Sequence, residues 1–141
     1  MGIRLSMRKK GTSHDEYCLG KLYSYIETRE EAEACESIAY LLRVGALDDL
    51  FGEFEDETYD YKGTDAEKFA DICEFCHYQD YGEFFELRKD QVREFVKLYA
   101  ADWARFWERE PWDGKDFDEV FEFMDSQTSL ETSIFEFRLG A

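Results

Sequence analysis

The chain has 141 residues, one domain's worth, with 17 Lys+Arg against 34 Asp+Glu and a formal net charge of −17. Hydrophobic residues at 44% and aromatics at 18%, with a single Pro, exclude a disordered or low-complexity chain. The charge argues against direct binding to nucleic acid or to an anionic membrane, which both need surplus Lys and Arg, and no stretch approaches the roughly 18 apolar residues of a membrane span.

The acidity is uneven. Arg4, Arg8, Lys9 and Lys10 all fall near the N-terminus, so the remainder is more acidic still. Self-repulsion of this size opposes compaction, and a basic protein partner or a bound cation is its natural complement. Salt adaptation also makes proteins acidic, but thirteen Phe, nine Tyr and three Trp are not the composition of a chain stripped of large apolar groups. Met1 to Lys10 lacks the apolar centre of a signal peptide. The chain therefore reads as cytoplasmic, with its four cysteines as reduced thiols.

In chain order, Ile3-Arg4-Leu5-Ser6-Met7-Arg8 alternates strictly and predicts a half-buried strand. Lys9, Lys10 and Gly11 end it. Tyr17 to Ile26 is apolar and aromatic, and fits a short helix or a second strand equally well. Residues 29–44 predict a helix, with Ala32, Cys35, Ile38, Ala39 and Leu42 on one face. Thr28 and Glu31 form a capping-box pattern before it, and Gly45 suits the position just past its end. Leu47, Leu50, Phe51 and Phe54 then make a short apolar stripe inside an acidic run.

Thr64 and Glu67 form a second capping-box pattern, opening a helix lined by Phe69, Ile72, Cys73 and Cys76. The pattern breaks near Tyr81-Gly82, and Phe84-Phe85-Glu86-Leu87 reads as a strand. From Asp90 to Glu108 the one-sided stripe Val92, Phe95, Val96, Tyr99, Trp103, Phe106 and Trp107 predicts a long helix. Glu110 to Gly114 is a turn, and a shorter helix follows with Phe117, Val120, Phe121 and Met124 inward. Ser133 to Leu139 alternates again, as a closing strand. The fold class expected is a single α+β domain over residues 1–141. It has a small, mostly antiparallel sheet of terminal strands plus a central one, with about four helices packed on it.

Chemical constellations are sparse. Cys73-Glu74-Phe75-Cys76-His77 matches the C-x-x-C-H haem pattern and offers two thiols and an imidazole to zinc. A zinc site needs a fourth ligand, and neither Cys18, Cys35 nor His14 shows paired ligand spacing. Two cysteines packed as small apolar side chains is the plainer reading, so no cofactor is expected. Neither Asp113-Gly114-Lys115-Asp116-Phe117-Asp118 nor Asp56-Glu57-Thr58-Tyr59-Asp60 has the order of an EF-hand loop. There is no G-x-S-x-G elbow and no phosphate-binding glycine loop. No catalytic residue is nominated.

The acidic runs are the remaining signal. Residues 45–61 hold Asp48, Asp49, Glu53, Glu55, Asp56, Glu57 and Asp60 without a Lys or Arg, interleaved with Phe51, Phe54, Tyr59 and Tyr61. A second run spans Glu108 to Asp125 and is diluted by Arg109 and Lys115. Within it Asp118, Glu122 and Asp125 repeat at i, i+4 and i+7, a row along one helix face. A charge run is commonly a solvated face, but rows of carboxylates on a rigid scaffold also imitate rows of phosphates. The expectation is an acidic inhibitor or regulator that occupies a basic, nucleic-acid-binding surface. A phage protein that blocks a defence nuclease, as anti-CRISPR proteins do, and a toxin-immunity protein are the two types that fit. The alternatives are an adaptor binding through exposed aromatics such as Trp112 and Tyr61, and a metalloprotein centred on Cys73 and Cys76.

Overall fold

A computed structural model describes residues 4–11, 15–21, 29–54, 63–78, 83–106 and 112–140. Strands β1 (Arg4–Lys9), β2 (Tyr17–Lys21), β3 (Glu83–Arg88) and β4 (Ile134–Gly140) form one antiparallel sheet in the order β2-β1-β4-β3. The two terminal strands are the central pair. Alternation explains the placement. Leu5 and Met7 of β1 face Leu139 and Phe137 of β4, and Phe85 and Leu87 of β3 face Phe137 and Phe135. All of these side chains are buried on the sheet's inner face, and a one-residue slip in register would turn every one of them outward.

Six helices lie among the described residues: α1 (Arg29–Ala34), α2 (Glu36–Arg43), α3 (Asp48–Phe54), α4 (Asp65–Tyr78), α5 (Lys89–Phe106) and α6 (Gly114–Gln127). The antiparallel sheet built from both terminal strands and a mid-chain strand is as expected; the helix count is six rather than about four. Two features make the difference. The helix predicted over 29–44 is interrupted at Cys35, which has an extended backbone at φ −70° and ψ 113°. Leu50 and Phe51 of the apolar stripe belong to a further helix, α3, whose first turn carries Asp48 and Asp49, and Leu47 is buried in the turn just before it. Tyr17 onward resolves as strand β2 as far as Lys21.

Local signals set several helix ends. Thr64 and Glu67 make the predicted capping box, with Glu67 N–H donating to Thr64 Oγ1 at 3.3 Å and Thr64 N–H to Glu67 Oε1 at 3.4 Å. Asp113 and Asp116 form another, at 3.0 Å in both directions. Gly45, at φ 74°, closes α2: its N–H donates to Leu42 O and that of Ala46 to Leu41 O. Only a residue that tolerates left-handed backbone makes that double closure cheaply. Thr28, the other predicted cap, lies outside the described residues.

The core joins the sheet to α4 and α5 through aromatic rings. Phe85 and Phe137 stack across β3 and β4 at 5.1 Å between centroids. Phe95 of α5 meets both edge-on, at 6.0 and 5.3 Å, and Phe69 of α4 meets Phe85 edge-on at 6.3 Å. Each such pair adds about 0.5–1.5 kcal/mol beyond the burial of its area. Trp103 of α5 lies over Gly20 of β2, where no other side chain would leave room.

Candidate interaction surface

The fold separates two kinds of surface. Alternation that sends Leu5, Met7, Phe137 and Phe85 inward sends Arg8, Glu136, Arg138, Phe84 and Glu86 to the sheet's outer face. There the bases are matched by acids. Arg8 pairs with Glu136 at 3.0 Å, Lys10 with Glu86 at 2.7 Å, and Arg138 with Glu16 at 3.1 Å. Arg88 pairs with Asp90, at the start of α5, at 3.0 Å. The Glu86 hydrogen bond raises the Lys10 ammonium above its ordinary pKa.

The helical layer carries the acidic surplus. Helix α6 has Asp116, Asp118, Glu119, Glu122 and Asp125 against Lys115 alone. Val120 and Met124 pin one side of it to the core. The opposite side is therefore solvent-facing, and Asp118, Glu122 and Asp125 stand on it as the spacing predicts. Asp118 and Glu122 are one turn apart, ~6 Å along the axis. Among the described residues Asp118, Glu119 and Glu122 have no ion-pair partner.

Asp125 differs from its neighbours in the row. Its Oδ1 is 2.7 Å from Lys89 Nζ and 3.1 Å from Arg93, which also bridges to Glu131 at 3.1 Å. Lys89 is buried and donates to Thr128 O as well, at 2.7 Å. The Lys89 hydrogen bond, reinforced by Arg93, holds the Asp125 carboxyl below the usual aspartate range. Asp125 thus fastens α6 to the start of α5. Both cations come from another helix, so nothing local in the sequence marks the pairing.

The two acidic runs do not meet among the described residues. Asp48 and Asp49 are exposed in the first turn of α3, where negative charge suits the helix dipole. Helix α3 packs on β3, at one edge of the sheet. Helix α6 lies toward the other edge, with Phe123 against Tyr17 of β2 at 5.4 Å and Gln127 reaching Asp15. Burial first, then the carboxylates of Glu119 and Asp116, push the Tyr17 phenol up. The side chain of Glu53 and the whole of Glu55, Asp56, Glu57 and Asp60 lie outside the described residues.

The aromatics beside α6 serve the core more than the surface. Trp112, expected among exposed rings, is half-buried between Tyr99 at 6.1 Å and Phe117 at 5.4 Å. Phe121 lies under the Arg93 guanidinium at 5.4 Å. Tyr61 falls outside the described residues.

Among the described residues Cys18, Cys35 and Cys73 are free thiols, and no group of three or more His, Cys, Asp or Glu side chains is arranged to hold a metal ion. Cys73 is buried in the core; the side chains of Cys76 and His77 lie outside the described set. No described helix is long and apolar enough to cross a membrane. Comparison with family models, with curated proteins and with solved structures gives no match.

Proposed function

We propose that this chain is a non-catalytic acidic protein that occupies the basic, nucleic-acid-binding surface of a partner protein in the cytoplasm. The observation that carries this reading is the contrast between its layers. Arg8, Lys10 and Arg138 on the sheet are committed to neighbouring glutamates, while Asp118, Glu119 and Glu122 stand exposed on α6 without an ion-pair partner among the described residues. A helix fixed by its buried side loses little freedom on binding, so carboxylates at turn spacing meet a phosphate-binding groove with low ordering cost. Long-range attraction from the net charge of −17 speeds the encounter with a basic surface. Blockade of a defence nuclease and neutralisation of a toxin nuclease are the two settings that suit such a protein.

The test is capture of a partner from native host lysate at low and at high salt, followed by association kinetics with the captured protein. The association rate is expected to fall steeply with ionic strength, and a doubly neutralised Asp118→Asn, Glu122→Gln protein is expected to associate more slowly. A rate indifferent to salt sinks the reading. If the neutralised protein binds normally while Trp112→Ala does not, the protein is an adaptor that binds through its aromatics.

A further inference from the structure

We infer that α1 and α2 form a two-state element: one helix, held broken at Cys35 by a clip on α5, that rejoins into a continuous helix when the clip lets go. Nothing in the segment itself breaks it. Residues 29–43 contain no Gly and no Pro, and a cysteine costs a helix little more than its neighbours do. Ala32, Cys35, Ile38, Ala39 and Leu42 keep helical spacing straight through the break. Yet Cys35 is extended, with ψ at 113°, where a helical residue has about −42°. A segment that favours one helix and a fold that makes two of it are in conflict, and the cause lies outside the segment.

The cause is a pair of residues one turn apart on α5. The Asp102 carboxylate accepts from the N–H groups of Glu36 and Ser37. In an unbroken helix these would donate to the carbonyls of Ala32 and Glu33. Arg105 donates to the Ala34 carbonyl at the end of α1 and to Asp102 itself. Donors freed at the start of α2 and a carbonyl freed at the end of α1 are thus both satisfied from one neighbouring helix. Asp102 is fully buried, and Arg105 is 49% exposed, so Arg105 is the point at which an outside group reaches the clip.

Burial shows what the break achieves. Ala32 of α1 and Cys35 at the break are buried, and α2 buries Ser37, Ile38, Tyr40 and Leu41. At about 3.6 residues per turn, these two sets fall on nearly opposite sides of a continuous helix. The break turns both inward, so that α1 packs on α4 while α2 packs on α5. Rejoining must turn one set out. The small side chains Ala32 and Cys35 lose less by exposure than Ile38, Tyr40 and Leu41 do. The rejoined state therefore keeps α2 seated and lifts α1 off α4 as its extension, with Cys35 as the hinge.

The experiment is NMR on the full chain, reading the backbone carbon shifts of residues 30–36, with circular dichroism as the check of folding. Cys35 should show extended shifts in the wild-type protein. Asp102→Ala should move them to helical values while residues 30–33 stay helical. Arg105→Ala, a change at a half-exposed side chain, should move them the same way by less, and it carries the test if Asp102→Ala does not fold. Glu36→Pro applies the opposite constraint. It gives up one bond to Asp102, but proline suits the first position of α2 and an extended residue before it, and it forbids the continuous helix. That variant should stay folded with Cys35 extended, and in either clip variant it should return Cys35 to extended values. A Cys35 that remains extended in every folded clip variant overturns the proposal. So does loss of helical shifts across residues 30–33 when the clip is cut, because that is fraying of α1 and not rejoining.

Discussion

The Asp102 carboxylate on α5 accepts hydrogen bonds from Ser37 at the start of α2, from its N–H at 2.8 Å and its hydroxyl at 2.5 Å. Its other oxygen accepts from Glu36 N–H at 3.0 Å and from Arg105 at 3.2 Å, and Arg105 also donates to Ala34 O. Cys35, the residue that should cap α2, makes no side-chain cap bond. The cap is supplied by another helix, from a carboxylate with no exposed surface. Asp102→Ala removes the acceptor shared by the buried Ser37 and the part-buried Glu36 N–H and should destabilise the fold by about 3 kcal/mol. Asp102→Asn keeps one acceptor oxygen and should cost about half as much. Urea unfolding measures both, and a loss under ~1 kcal/mol for the alanine variant contradicts the capping role.

Acid should weaken the clasp between α5 and α6. The Lys89 hydrogen bond depresses the Asp125 carboxyl, and the Arg88 hydrogen bond depresses Asp90. A carboxyl whose pKa is lower in the folded state favours folding when ionised. That stabilisation is complete above the ordinary aspartate value of about 3.9 and disappears as pH falls through the lower folded value. Urea midpoints should therefore drop as pH falls below about 4. Asp125→Asn should lower the midpoint at neutral pH and approach wild type at low pH. A gap between the two proteins that stays constant with pH would falsify this account.

What was legible in the residues, and what was not, follows from distance along the chain. Strict alternation in β1 and β4 predicts inward Leu5, Met7, Phe135, Phe137 and Leu139, and the stripe from Val92 to Trp103 predicts α5; both are local patterns. The break at Cys35 is not local. It depends on Asp102, whose residue type gives no sign that it will cap a different helix. Helix α3 has only seven residues with Gly52 among them, too short an apolar stripe for periodicity to set it apart. The shared face of Asp118, Glu122 and Asp125 is readable from spacing alone; the engagement of Asp125 by Lys89 and Arg93 is a tertiary event. The separation of Asp48 and Asp49 from α6 follows from strand order, which one sequence does not encode locally.

Gly20 is where the edge strand β2 meets α5, and its substitution should be costly for two independent reasons. Its φ of +119° is strained for any residue with a Cβ, and a Cβ there would lie 3.0 Å from both Cη2 and Cζ3 of Trp103. Trp103 also contacts Tyr99 at 6.1 Å, so displacement of the indole is passed into the core. Gly20→Ala should cost ~2 kcal/mol or more. Truncating the indole as well removes the clash but not the backbone strain. In a double-mutant cycle Gly20→Ala should therefore cost less in a Trp103→Ala background. Strictly additive losses would show that the indole and Gly20 are uncoupled.

Cys35 sits at a helix start, where the dipole ordinarily favours a thiolate. Burial wins here. It pushes the thiol up to about 12, and the Asp102 carboxylate adds to the rise while Arg105 opposes it. The Cys35 thiol therefore stays protonated at pH 8, and alkylation of the native protein should pass it by. Cys73, buried in the core, should be equally protected, whereas Cys18 is exposed on the sheet's outer face. Peptide mapping after brief iodoacetamide treatment should find label on Cys18, and on Cys35 and Cys73 only in denaturant. Asp102→Asn removes the adjacent negative charge and should make Cys35 more acidic, detectable as faster native-state alkylation at high pH. Early labelling of Cys35 in the wild-type protein would mean that the start of α2 opens on its own, and that Asp102 does not hold it closed.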